Sequence, residues 1–165
     1  MRRKHLSVLG TFLAVSFLVA MAGAGNTNTL DDAVAASDAG DYVTAVRILR
    51  PLAEQGNASA QNSLGWMYAK GKGVKKDNSE AVKWFRKAAE QGNANAQFSL
   101  GFLYQFGLGV LQDYEEAVKW YRKAAEHGHA KAQGNLGTMY AGAEGVLQDN
   151  KRAHMWFNLG ASNGD

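Results

Sequence analysis

The chain has no cysteine, a single proline and no surplus of charge beyond its first few residues, and each of these shortages removes a class of protein. Without cysteine there is no disulfide scaffold, no thiol nucleophile, no thiolate-held zinc and no lipidated N-terminal cysteine. The formal charge of +3 suggests a polyanion binder until Arg2, Arg3 and Lys4 are seen to supply all of it. Without those three, the 18 basic residues fall to 15, equal to the 15 acidic ones. The summed positive field that nucleic acid requires is then missing, so no nucleic-acid partner is expected. No Gly-x-Ser-x-Gly, His-Glu-x-x-His or phosphate-loop pattern is present either. What remains is 46% hydrophobic and 20% charged, which is the balance of a folded chain of one or two domains.

The first residues read as an address. Three positive charges in Met1–His5 precede the uncharged apolar run Leu6–Ala20, and the small-x-small sites Ala20-Met21-Ala22 and Ala22-Gly23-Ala24 follow. This is the layout of a secretory signal peptide over residues 1–24, with cleavage after Ala22 or Ala24 and a periplasmic or secreted destination. The competing reading is an uncleaved anchor, because Leu6–Gly25 reaches the roughly 20 residues that a membrane span needs. That anchor is the one membrane contact expected.

Beyond the leader the sequence repeats. Blocks of 36 residues align 58–93, 94–129 and 130–165 without a gap; the first two agree at 22 positions, and 13 positions recur in all three. Residues 25–57 read as an N-terminal capping helix, within Thr29–Ala39, followed by a degenerate half repeat from Asp41. In each full unit Ala60, Leu64 and Tyr68, and their counterparts, share one face of a first helix. Gly65 sits in that helix at a usual cost of about 1 kcal/mol, which implies close approach by a neighbour. Asp77 with Glu80, and Asp113 with Glu116, predict capping boxes opening a second helix, whereas Asp149 is followed by Arg152. Ala81, Trp84, Ala88 and Ala89 form its inward face, and Gly92 closes it. Pro51 falls inside the second helix of the leading unit, where it predicts a kink or a solvent-facing carbonyl. Two such helices cannot bury their apolar faces alone, so the expected fold is all-α, a solenoid of stacked antiparallel helix pairs.

The pattern A-x-A-Q-x-x-L-G-x-x-Y…G-x-G-V-x-x-D-x-x-x-A-V-K-W-x-R-K-A-A-E-x-G, present at 58–92 and again at 94–128, resembles the Sel-one-like repeat, a branch of the tetratricopeptide superfamily. The resemblance implies an exported, non-enzymatic adaptor for a protein or peptide partner, without cofactor, in envelope signalling or in contact with host cells. Cysteine-rich relatives carry a disulfide in each unit and some are described as β-lactamases; with no cysteine and no Ser-x-x-Lys motif here, neither property transfers. The third unit departs from the pattern at Ala143-Glu144-Gly145 and Asn158-Leu159-Gly160, and the sequence stops where another helix would cover Trp156, Phe157 and Leu159. A truncated form, a unit capped by its own C-terminus, and completion by another molecule, including self-association through the uncapped last helix, are the readings open there.

Residues that bind a partner should differ from unit to unit, because the recurring ones are committed to packing. In the first helices the changing positions form one stripe off the Leu64–Tyr68 face, and the resemblance places that stripe in a concave groove. The candidate contacts are Asn62, Trp66, Lys70, Asn95, Phe98, Phe102, Gln105 and Phe106, with the aromatics as anchors. The competing reading makes Trp66, Phe98 and Phe102 ordinary core. Lys70, Lys72, Lys75 and Lys76 read as a solvated basic loop, since no basic stripe continues in later units. His127 and His129 lack a third ligand, and no metal site is assigned to them.

Overall fold

The 36-residue period is realised as pairs of helices. In the computed structural model, which describes residues 29–164, these are α1 (Leu30–Asp38), α2 (Tyr42–Glu54), α3 (Ala58–Lys70), α4 (Asn78–Glu90), α5 (Ala94–Phe106), α6 (Tyr114–Glu126), α7 (Ala130–Gly142) and α8 (Asn150–Asn163). The leader lies outside the described residues. Among those described, no helix is long and apolar enough to cross a membrane.

Each helix starts where a side chain can accept the third backbone N–H of the new turn. Asn57, Asn93 and His129 do this for α3, α5 and α7, and Asp41, Asp77, Asp113 and Asp149 for α2, α4, α6 and α8. Each such cap contributes about 1 kcal/mol. The reciprocal half of the boxes expected at Asp77 and Asp113 is not made. Glu80 pairs with Lys83, and Glu116 pairs with Lys119 while accepting from Trp120 Nε1 at 3.1 Å, because a lysine one turn on competes better for the carboxylate than a neutral amide does. The complete box among the described residues is at Thr29 and Asp32. α2 runs unbroken through Pro51, which lies on its exposed side with Arg47, so the lost hydrogen bond faces water.

The core is a row of three clusters, each joining the second helix of one unit to the first helix of the next. Ile48, Leu49, Ala60, Leu64 and Trp84 belong to the first, Phe85, Ala89, Ala96, Leu100 and Trp120 to the second, and Tyr121, Ala125, Ala132 and Leu136 to the third. Inside each unit an aromatic ring lies on the mid-helix glycine. A Cβ on Gly65, Gly101 or Gly137 would come within 2.9, 2.8 or 2.8 Å of Phe85, Tyr121 or Phe157, which is the close approach the sequence implies. The loop glycines Gly73, Gly109 and Gly145 combine left-handed backbone with contact on Tyr42, Asn78 and Tyr114, at the N-terminus of the preceding second helix. They stack loop on unit.

The leading unit breaks the register. Three residues, Ala39–Asp41, connect α1 to α2, against seven, Gly71–Asp77, between α3 and α4. The shorter connection slides α1 along, so buried Ala33 packs with Val46 and Leu49 although strict counting aligns it with half-buried Ala69. At the other end the buried apolar residues of α8 reduce to Ala153, while Met155, Phe157 and Leu159 are 45%, 40% and 40% exposed.

One position in the third unit is strained. Gly71 and Gly107 close α3 and α5 with left-handed backbone, and Ala143 closes α7 at φ 56°, the one residue other than glycine with positive φ among those described. A Cβ there approaches its own carbonyl. Ala143→Gly is expected to stabilise the chain by about 0.5–1 kcal/mol, net of the added unfolded-state freedom, as read from urea unfolding followed by circular dichroism.

Candidate functional site

Two hydrogen-bond series fix the spacing of the first helices and so shape the groove between them. Gln61, Gln97 and Gln133 are buried, and each donates through Nε2 to a carbonyl in the last turn of the preceding second helix, Ala53, Ala89 or Ala125, at 2.9, 3.1 and 2.9 Å. The other end of each amide accepts from Gln91, from His127 Nδ1 or from Asn163, at 2.7, 3.2 and 3.0 Å. Arg50, Arg86 and Arg122 donate to the hydroxyls of Tyr68, Tyr104 and Tyr140 in the next unit. Asn158 stands in α8 where that arginine would be.

On this frame the changing residues come together along one groove with two adjoining hollows, of about 370 and 580 Å³. Asn62, Trp66, Asn95 and Phe98 line the first, and Trp66, Lys70, Phe98 and Phe102 the second. Trp66 and Phe102 are each 40% exposed. Phe106, 54% exposed, lies outside these walls but packs on Phe102 with ring centres 4.6 Å apart. Gln105 is turned to structure, its amide oxygen accepting from the Tyr121 hydroxyl at 2.8 Å. Burial pushes the Tyr121 phenol up to about 12. Phe98 is half-buried against the third core cluster, 5.8 Å from the Tyr121 ring and stacked on His129 at 4.6 Å. Phe98 is thus half-buried against the core at the groove wall, while Trp66 and Phe102 are exposed in the groove.

Several groove residues lie outside the candidate contacts. Lys76 comes from the loop after α3, Lys131 from the first turn of α7, and Leu108 from the loop after α5. Lys131 stands at the changing position of Ser59 and Asn95, on the stripe the sequence defines though outside the candidate contacts. His129 opens α7: its Nδ1 accepts from the Ala132 N–H at 3.2 Å, doing for α7 what Asn57 and Asn93 do for α3 and α5. Burial, helped by Lys131, holds its pKa below the usual histidine range.

The described chain is thus an α-solenoid of helix pairs in which invariant residues pack and changing ones line a groove. Its family follows from comparison: the Sel1 repeat matches residues 58–93, 94–129 and 130–165, and the chain belongs to that family. A Sel1 repeat protein from Oxalobacter formigenes is similar in structure, with TM-score 0.79 and 40% identity over 86% of this chain and 56% of that one. So is c5321, described as a protective antigen present in uropathogenic Escherichia coli strains, at TM-score 0.73 and 39% identity over 75% of this chain and 27% of that one. The chain therefore spans about half of the first relative and a quarter of the second. Helicobacter pylori cysteine-rich protein B, at 22% identity and TM-score 0.55, shares the fold. No curated protein matches the chain in sequence. Sel1 repeat proteins are generally protein-interaction scaffolds, and the fold is typically non-catalytic.

The His129 cap has a pH signature. A cap that accepts through Nδ1 needs the neutral ring, and the positive end of α7 opposes the charged one. With the folded pKa below the unfolded value, the unfolded chain takes up the proton first on acidification. Stability from this residue is therefore complete above the unfolded pKa near 6.5 and is lost as pH falls toward and through the folded one. His129→Asn, restoring the residue found at positions 57 and 93, is expected to flatten that loss without lowering stability at pH 8, as read from unfolding midpoints at pH 5 and 8.

Proposed function

We propose that the chain is an exported, non-enzymatic adaptor that holds a protein or peptide partner in the groove of its first helices, in bacterial envelope signalling or regulation. The observation that carries this reading is the division of labour along one repeat: the recurring Ala60, Gln61, Leu64, Gly65 and Tyr68 and their counterparts are buried or bonded to a neighbour, whereas Trp66 and Phe102, which change, stay exposed in a shared groove. Exposed aromatics in a concave, partly apolar site are the usual carriers of recognition energy.

A variant carrying Trp66→Ala, Phe102→Ala and Phe106→Ala tests it, because none of the three side chains is buried and the fold should persist. Pull-down from envelope extract is expected to recover a partner with the parent and lose it with the variant, at equal helicity. Equal recovery would move recognition to the loops or to the exposed face of α8.

Export rests on the leader at residues 1–24. Fractionation with intact-mass analysis is expected to find a chain beginning at Gly23 or Gly25 in periplasm or medium; a retained Met1 would sink cleavage and leave the anchor reading. A second reading, contact with host cells, is favoured by the similarity to an antigen of uropathogenic Escherichia coli. Self-association through α8 is supported by the exposure of Met155, Phe157 and Leu159.

A further inference from the structure

The electrostatics of the groove narrow what can occupy it. α3, α5 and α7 are 13 residues each, and none contains an aspartate or glutamate. Among the described residues the acids of the repeats lie elsewhere, at the caps Asp77, Asp113 and Asp149, in α4 and α6, and at Glu144. Those of α1, namely Asp31, Asp32 and Asp38, line neither hollow.

Into this acid-free surface the fold brings three lysines. Lys70 ends α3, Lys76 follows in the loop and Lys131 enters from α7, and all three border the hollow lined by Trp66, Phe102 and Leu108. All are exposed, and none is in an ion pair among the described residues, whereas Lys83 and Lys119 on the second helices are. Their counterparts in the other units are uncharged: Phe106 and Gly142 for Lys70, Gln112 and Gln148 for Lys76, Ser59 and Asn95 for Lys131. A basic surface kept for solubility would be spread over the units. Here each lysine occurs once, and units two positions apart in the sequence bring them to opposite sides of one aromatic patch.

Resting on the groove reading above, we infer that the occupant is an acidic peptide segment, one whose carboxylates meet Lys70, Lys76 and Lys131 while an aromatic or large aliphatic side chain lies on Trp66 and Phe102. Like charges collected around an apolar floor focus potential on the groove and favour a partner of opposite sign. A free anion or an anionic glycan has no use for that apolar floor, and a lipid surface would engage a flat basic face in place of a hollow between helices. In the adjoining hollow Asn62 and Asn95 offer amides to the backbone of such a segment.

The test is selection of a random peptide library displayed on phage against the full-length chain, taken with whatever N-terminus its host leaves. Enriched peptides are then synthesised and titrated by fluorescence anisotropy. The expected result is enrichment of acidic residues interleaved with aromatic or leucine residues, and binding weakened by about tenfold or more by Lys70→Glu with Lys131→Glu and by added salt. The milder Lys70→Gln with Lys131→Gln, which cannot trap new ion pairs, should weaken it in the same direction. Neutral or basic peptides that depend on Trp66 and Phe102 but not on the lysines would overturn the acidic class and leave the groove reading standing. Peptides indifferent to both sets of changes would overturn both. Binding of phosphatidylglycerol vesicles that responds to the lysines but not to Trp66→Ala would overturn the peptide in favour of a lipid surface.

Discussion

The buried glutamine amide holds this solenoid together. A side-chain amide removed from water loses more than it gains unless both ends are bonded, and here both are. Gln97 donates to the Ala89 carbonyl at the end of α4, which also accepts from the Gly92 N–H of the closing turn, and accepts from His127, which closes α6. One side chain thus ties the C-terminal ends of two successive second helices to the first helix lying between them. Gln61 and Gln133 do the same one unit earlier and later. Apolar packing alone would let a helix slide by a fraction of a turn; a directional bond at each joint fixes the step from unit to unit. The arginine-to-tyrosine bonds fix it a second time on another side of the same joint.

Fixing the step so tightly leaves few positions free to change. Glycines under aromatic rings cannot acquire a Cβ, loop glycines lie against the backbone of the preceding unit, and the alanines of the joints are fully buried. Variation is pushed to the stripe of the first helices that borders the groove, where Trp66 and Phe102 stay exposed while Phe98 and Gln105 still reach Tyr121. The same constraint that makes the repeat visible therefore leaves exposed, changing side chains such as Trp66, Phe102, Lys70 and Lys131 on the groove side of the first helices.

This is also why some features could be read from the sequence and others could not. Capping aspartates, the mid-helix glycine and the changing stripe each announce themselves by residue type at fixed spacing, and the structure places them as that spacing requires. The partner of Gln97 does not, because it is a backbone carbonyl that any residue would supply. The competition between Lys83 and the expected capping box at Glu80 turns on side-chain rotamers, which spacing does not encode. His129 was assigned no role from the sequence; it is a substitute for asparagine, detectable only by aligning it with Asn57 and Asn93. The lysines were judged along the array, where no basic stripe exists, and their convergence across the groove required the fold.

The two ends of the array differ in how the repeat rule is relaxed. At the start, a connection of three residues replaces one of seven, and α1 gains its own capping box, so the leading pair closes on itself. At α8 the intra-unit contact survives, with Phe157 against Gly137, but the arginine that would grip a following tyrosine is Asn158 and the helix keeps few buried side chains. In an array whose stability is nearly a sum of unit and joint contributions, a unit whose second helix buries as little as α8 does is the first to open. Lys131 belongs to that unit, on the helix that Ala143 strains and His129 caps, whereas Lys70 and Trp66 stand two joints inside. A ligand spanning the groove would therefore contact both the firm middle of the solenoid and its weakest member, and would bind more tightly to a chain whose last unit is closed, so stability at one end of the array and affinity at its centre are linked.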